Sequence, residues 1–171
     1  DAKHIAYFQD FTNTYAPVER LAELYREALS MPDVVGLSIA TRADCLPDDV
    51  CALLRRLDSQ THLTVELGLQ SSSDKTALRI NRGHTWAEFL EGYERLRGLN
   101  VCVHIIDGLP GETDADMLQT ARDVASLRPH EVKIHLLHVL RGTVLARQYE
   151  NGEFETLSLD RYASVVVSQL E

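Results

Sequence analysis

Five short apolar segments, with helical patterns between them, constrain the fold of this chain more than any other feature of its sequence. Each has the length and the β-branched content of a strand; they cover residues 5–8, 34–40, 63–69, 101–106 and 132–140. A new strand begins about every 30 to 40 residues, which is the spacing of βα units. The pattern therefore predicts an α/β fold built on a parallel sheet whose five strands are arranged in sequence order.

Helical patterns fill the intervals between the strands, at residues 18–29, 50–57, 89–96 and 117–127, and a last one covers residues 161–170. Pro17 and Pro47 precede the first two, where proline suits a helix start, and Gly98 follows the third as a C-cap. Thr113 and Asp116 have the spacing of a capping box before the fourth. No Gly/Ser-rich linker interrupts the 171 residues, so we expect one domain covering residues 1–171.

The predicted strands combine one apolar face with one small or polar face, because successive side chains point to opposite sides of a strand. In the third strand, Val65, Leu67 and Leu69 alternate with Glu66, Gly68 and Gln70. An ordinary (β/α) barrel fills its interior with bulky aliphatic side chains. We therefore expect a partial, open (β/α) barrel of parallel strands whose inner face surrounds something large and polar. The alternative is an open sheet with one face partly solvated.

Composition narrows the classes of function. The net charge is −9 and no Lys/Arg cluster occurs, so this segment gives no indication of nucleic-acid binding. No apolar run approaches the roughly 18 residues that a membrane span needs. The three cysteines have no disulfide-like spacing, and an odd number favours a reducing, cytoplasmic setting.

Taken singly, the local motifs favour structural roles. The glycines at residues 108–111 make a strand-to-helix turn, but the acidic residues after them would repel a phosphate. Gly83 is expected to end a short helix in the left-handed conformation, which leaves Arg82 to point at a carboxylate or to lie on the surface. His135 and His138 have opposite strand parity, so buried, hydrogen-bonded histidines are favoured over a zinc site.

Taken together and in order, several segments resemble the radical S-adenosylmethionine (radical SAM) superfamily. They are residues 65–71 (VELGLQS), 79–84 (RINRGH), 104–113 (HIIDGLPGET) and 138–143 (HVLRGT). The same segments resemble oxygen-independent coproporphyrinogen oxidases and the Elongator catalytic subunit. Residues 7–9, 12–17 and 41–47 narrow the resemblance to YhcC-type radical enzymes, and it extends over nearly the whole chain.

This resemblance implies a six-unit open barrel, of which about five βα units are present, and it implies a [4Fe-4S] cluster and S-adenosylmethionine as cofactors. Gln70 and Arg82 match positions that contact the ribose and carboxylate region of S-adenosylmethionine, and Glu66, on the same polar face, is a further candidate cofactor contact. His104 falls where some relatives have an Asp for the same ligand.

Two departures from the family pattern stand out. The segment from Gln9 to Thr14 replaces the Gly-Gly-Glu-like loop that holds the methionyl amine in many relatives, so both residues are candidate cofactor contacts. The three closely spaced cysteines that bind the family's cluster do not occur, so we expect the first strand and the cluster loop upstream of residue 1. Cys45 is expected in a loop, Cys51 on the next helix and Cys102 inside a strand, too far apart to hold a cluster.

The sequence therefore predicts a radical SAM enzyme domain that, in the complete protein, cleaves S-adenosylmethionine reductively to a 5′-deoxyadenosyl radical acting on an unknown substrate. The piece alone is expected to be inactive, and its exposed sheet edge could allow self-association. Two alternatives stay open: a non-catalytic binding module on the same fold, and an unrelated barrel enzyme that uses Glu66 and His104 for acid-base chemistry.

Overall fold

A computed structural model describes residues 2–171 and contains one five-stranded sheet within them. The strands are β1 (His4–Phe8), β2 (Val34–Thr41), β3 (His62–Gln70), β4 (Asn100–Asp107) and β5 (Glu131–Leu136). Their order in the sheet is their order in the sequence, and they run parallel. The predicted α/β class and the predicted strand order are confirmed.

The helices between the strands follow the predicted rhythm. They are α1 (Val18–Leu29), α2 (Asp48–Asp58), α3 (Asp74–Arg79), α4 (Trp86–Arg95), α5 (Asp114–Leu127), α6 (Val144–Glu150) and α7 (Leu159–Leu170). None of the helices in residues 2–171 is both long and apolar enough to cross a membrane.

The chain divides into two compact units. The first holds the described residues up to 69 together with residues 87–103 and 129–132, and the second holds residues 70–86, 104–128 and 133–171. The prediction of one domain over residues 1–171 stays a prediction.

The core of the first unit lies between its strands and its helices. Leu37, Ile39 and Val65 are fully buried on the strands, and Tyr25 of α1 is nearly so. The ring of Phe8 meets that of Tyr25 edge to face, with centroids 5.1 Å apart. The odd-numbered residues of β2 and β3 and the even-numbered residues of β1 therefore face the helices.

The second unit is held by α5 and α7, which pack on each other. Met117 and Val124 of α5 and Val165 of α7 are buried. Thr113 caps α5 with the predicted capping box: its side chain accepts from the backbone N–H of Asp116, whose carboxylate accepts from the backbone N–H of Thr113.

Several predicted boundaries were wrong. β5 ends at Leu136 rather than at residue 140, and His138 therefore lies outside the strand. The apolar run continues past the strand, but Leu137 leaves it with its N–H donating to Asp107 O (2.9 Å). Four helices begin two or three residues earlier than predicted. For α2 and α5 the added residues are mostly acidic and carry no apolar periodicity.

Of the two short helices, α6 was not predicted, and α3 was predicted only as a short helix ending at Gly83, without a start. Each has six or seven residues, too few to show a helical period. The left-handed conformation predicted at Gly83 is present, with a φ of 84°, but α3 already ends at Arg79 and Asn81 is also left-handed.

Candidate functional site

A buried carboxylate stands at the centre of the polar face in the first unit. Glu66 lies on β3 with 4 % of its surface exposed. The hydroxyl of Tyr7 donates to its Oε2 (2.6 Å), and the hydroxyl of Ser38 donates to its Oε1 (2.5 Å). Both carboxylate oxygens are therefore held in place by groups from two other strands.

Strand register explains why these three residues meet. Tyr7 pairs with Ser38 across β1 and β2, and Glu66 pairs with Ala40 across β2 and β3. Tyr7 points away from the face on which Phe8 meets α1, so the polar side chains lie on the face opposite that helix. The prediction that this unit has one apolar and one polar face is confirmed at Glu66.

The predicted contacts in the β1–α1 loop have different environments. Gln9 is exposed, whereas Thr14 is buried at 2 % exposure. The Thr14 hydroxyl hydrogen-bonds to Thr41 Oγ1 (2.5 Å) and to the backbone oxygen of Cys45 (2.5 Å). It thus ties the loop to the end of β2, and its predicted contact with a cofactor stays a prediction, as does that of Gln9.

A groove of about 770 Å³ lies beside this loop in the first unit. It is lined by residues of the β1–α1 loop, of the β2–α2 loop and of α4, including Thr14, Cys45 and Arg95. Arg42 borders a smaller pocket nearby and is held by both carboxylate oxygens of Asp44 (2.9 and 2.6 Å), a contact that raises the pKa of Arg42. Among the six predicted cofactor contacts, Thr14 alone lines either pocket.

Gln70 and Arg82 both belong to the second unit. Gln70 is the last residue of β3 and has a φ of 80°, a left-handed conformation that is uncommon for a side chain of this type. Arg82 follows α3, and its backbone N–H donates to Ala77 O (2.8 Å). The Nε atom of Arg82 is buried, so the guanidinium points partly into the protein. Their joint contact with a ligand stays a prediction.

His104, the remaining predicted contact in the second unit, is half-buried on β4. Its ring lies 5.2 Å from that of His135 on β5, in a tilted arrangement. Sequence parity alone indicated that His135 and His138 could not share a strand face, and the pair that forms is His104 with His135. The role of His104 toward a cofactor stays a prediction.

A polar cluster lies directly after β3 in the second unit. The Ser71 hydroxyl donates to Glu112 Oε1 (2.5 Å), and the Ser72 hydroxyl donates to Asp123 Oδ2 (2.6 Å). Burial raises the pKa of Glu112, and the hydrogen bonds from Ser71 and Thr76 oppose that rise. These contacts connect the end of β3 with the turn that precedes α5 and with α5 itself, and they were not foreseen from the sequence.

The three cysteines occupy the predicted places. Cys45 lies in the β2–α2 loop, Cys51 on α2 and Cys102 on β4, and within residues 2–171 none of the three is part of a disulfide. Within residues 2–171, no group of three His, Cys, Asp or Glu side chains is placed to hold a metal ion. The residues of this chain therefore do not fit the ligation of an iron–sulfur cluster, which needs closely placed thiolates.

These features define a parallel α/β protein whose strands carry an internal polar face and end in polar turns. The family model described as the Radical SAM superfamily matches residues 1–124, and the model described as the Radical_SAM C-terminal domain matches residues 129–171. The chain belongs to the radical SAM superfamily. The alternative of an unrelated barrel enzyme is therefore wrong.

Curated relatives support the predicted subgroup. The chain is 54 % identical to the uncharacterized protein YtqA of Bacillus subtilis, with all of this chain and 54 % of the relative covered. It is 42 % identical to the protein YhcC of Escherichia coli K12, with 94 % of this chain and 53 % of the relative covered. The chain thus spans about half the length of the curated relatives it matches.

Solved structures share the fold. Elp3 of the archaeon Methanocaldococcus infernus matches 98 % of this chain and 44 % of its own, with a TM-score of 0.80 at 21 % identity. Coproporphyrinogen III oxidase (HemN) of Escherichia coli, a radical SAM enzyme, matches 93 % of this chain and 37 % of its own, with a TM-score of 0.68 at 20 % identity. At these identities the likeness shows the fold, which is the predicted partial barrel of the radical SAM type.

Proposed function

We propose that this chain is the S-adenosylmethionine-binding part of a radical SAM enzyme. The observation that carries the proposal is the end of β3, where Gln70 adopts a left-handed conformation in a chain that belongs to the superfamily. Parallel α/β proteins bind ligands outside the carboxyl ends of their strands, and Gln70 is the last residue of such a strand.

The chemistry of two side chains suits S-adenosylmethionine. The amide of Gln70 both donates and accepts hydrogen bonds, as a ribose diol requires. The guanidinium of Arg82 offers a planar set of donors that matches a carboxylate. We propose that Gln70 binds the ribose and that Arg82 binds the methionyl carboxylate.

Glu66 has a different role in this proposal. Because both its oxygens already accept hydrogen bonds from Tyr7 and Ser38, Glu66 is a positioning residue rather than a direct ligand. It fixes the phenol of Tyr7, whose side chain is 43 % exposed and so is accessible on the polar face of the first unit.

The iron–sulfur cluster belongs, in this proposal, to residues of the complete protein outside this chain. When bound, it would supply the electron that cleaves S-adenosylmethionine into methionine and a 5′-deoxyadenosyl radical. The contribution of this chain is to bind and orient the nucleoside and the carboxylate.

The proposal also covers the cellular location and the binding partners of the protein. Three cysteines that are not joined in a disulfide within residues 2–171 support a reducing cytoplasmic location. S-adenosylmethionine is one partner and a substrate of unknown class is the other. Self-association through the edge strand β1, whose side chains Ile5 and Tyr7 are exposed, stays a prediction.

Calorimetry on the complete protein tests the binding residues. Arg82→Ala removes charged hydrogen bonds and is expected to weaken S-adenosylmethionine binding by about 1–3 kcal/mol. Gln70→Asn shortens the amide but tolerates the left-handed backbone, so a weaker affinity can be assigned to the side chain. Arg122→Ala, which removes an exposed arginine of α5, is the matched control.

The possible outcomes distinguish a wrong residue assignment from a wrong proposal. Weaker binding by both site variants, with an unchanged control, supports the assignment. Unchanged affinity in Arg82→Ala removes Arg82 from the site. No binding of S-adenosylmethionine by the wild-type protein contradicts the proposal as a whole.

A further inference from the structure

A buried carboxyl group at the end of β4 meets the amide of a half-buried glutamine from the last helix. Asp107 is the final residue of β4 and has 2 % of its surface exposed. The Nε2 atom of Gln169, on α7, donates to Asp107 Oδ1 (2.8 Å). Both residues belong to the second unit of the chain.

The remaining oxygen of each group has no donor. Asp107 Oδ2 and Gln169 Oε1 are both buried, and neither receives a hydrogen bond from any residue in the described part of the chain. A buried acceptor without a donor is destabilising, and more so if it is charged. Two such acceptors, on a pair already joined by one hydrogen bond, need an explanation.

A single proton shared between these two oxygens would give both of them a hydrogen bond. We propose that Asp107 is a neutral carboxylic acid at neutral pH and that its Oδ2–H donates to Gln169 Oε1, which closes a two-bond acid–amide pair. The amide gives one hydrogen bond and receives the other, so neither partner keeps an unpaired buried atom.

The surroundings of the pair favour the neutral acid. Burial raises the pKa of Asp107, and the hydrogen bond from Gln169 lowers it by a smaller amount. Asp107 in turn acts on Glu112, in the turn after β4, and on Tyr162 of α7, and both of these pKa values are raised chiefly by burial. The nearby cation of α7, Arg161, binds Asp114 instead (2.7 Å). Burial, rather than a neighbouring charge, is therefore what disfavours the ionised form of Asp107.

The Asp107–Gln169 pair connects two parts of the family fold. Asp107 lies in the region matched by the superfamily model, and Gln169 lies in the region matched by the C-terminal model. Gln169 also approaches the backbone oxygen of Met117 on α5 (3.4 Å), so one side chain connects α7 to both β4 and α5. Ionisation of Asp107 would break the second hydrogen bond and weaken the docking of α7.

The sign of the pH effect follows from the raised pKa. An acid with a raised pKa in the folded state gives its full stabilisation below the ordinary range for aspartate and loses it as the pH rises through the folded value. The acid–amide pair therefore stabilises the fold most at low pH and less as the pH rises. This direction is opposite to that of a carboxylate stabilised by an ion pair.

Asp107→Asn is the decisive variant, because an asparagine amide can reproduce both hydrogen bonds without a titrating proton. Urea unfolding of the wild type and of this variant is compared from about pH 5 to about pH 8. We expect the folding equilibrium constant of the wild type to fall relative to the variant by up to roughly tenfold per pH unit, and to continue falling through neutral pH. Ser168→Ala, which changes an exposed, non-titrating residue next to Gln169 on α7, is the control and should leave the pH dependence of the wild type unchanged.

A difference between wild type and Asp107→Asn that does not change with pH would overturn the proposal. So would an Asn variant less stable than the wild type at every pH, which is the result expected if a water molecule or a cation lies between the two oxygens. Infrared difference spectra give an independent measurement. The C=O band of a protonated carboxyl group should be present in the wild type at neutral pH and lost in the variant, and its absence from the wild type would refute the neutral acid.

Discussion

The hydroxyl groups that hold Glu66 make a measurable contribution to stability. Ser38→Ala removes a donor to one carboxylate oxygen, and both Ser38 and Glu66 are buried, with 9 % and 4 % exposure. A hydrogen bond to a charged group contributes about 1.5–3 kcal/mol, so the expected loss in the free energy of unfolding is about 2 kcal/mol.

Tyr7→Phe removes the other donor, but the side chain of Tyr7 is 43 % exposed. Water can replace part of the lost interaction, so we expect a smaller loss of about 1 kcal/mol. The two substitutions thus compare a hydrogen bond from an exposed donor residue with one from a buried donor residue.

Urea unfolding followed by far-ultraviolet circular dichroism measures both losses, with equal slopes required for the comparison. The double variant Ser38→Ala with Glu66→Gln isolates the pair, and we expect a coupling of at least about 0.5 kcal/mol. Ser168→Ala, an exposed serine on α7, is the control and should change stability by less than about 0.5 kcal/mol. A coupling near zero, or a larger loss from Tyr7→Phe than from Ser38→Ala, would refute the reasoning.

Two further predictions concern the framework around the site. Gly92→Ala should destabilise the protein by about 1–3 kcal/mol despite the better helix propensity of alanine, because the new Cβ would lie 2.7 Å from the Cβ of Ala43 and also against its backbone. Thr113→Ala should cost about 1 kcal/mol in urea unfolding, because it removes the side-chain cap of α5. A neutral result in either case would mean that the backbone relaxes around the change.

Local periodicity predicted much of the fold. The five strands were expected in sequence order, and α1 begins and ends at the predicted residues. The capping box at Thr113 and the places of the three cysteines were also predicted, because each depends on residues close together in the chain or on one strand. Patterns of this kind need no knowledge of how distant segments pair.

The contacts at the site could not be predicted in the same way. Tyr7 and Glu66 are 59 residues apart, and they meet only through the register of β1, β2 and β3. Asp107 and Gln169 are 62 residues apart and depend on how α7 packs. Strand alternation indicated that Glu66 lies on a polar face, but the partners of a buried polar group require the tertiary structure.

The most direct test of the proposed function is the fate of S-adenosylmethionine in the complete protein after anaerobic reconstitution with iron and sulfide and addition of a reductant. The proposal predicts formation of methionine and 5′-deoxyadenosine in equal amounts, with a reduced yield from Arg82→Ala at limiting S-adenosylmethionine and an unchanged yield from the Arg122→Ala control. Binding of S-adenosylmethionine without cleavage, in a protein that holds its cluster, would contradict the enzymatic proposal and identify a non-catalytic binding module.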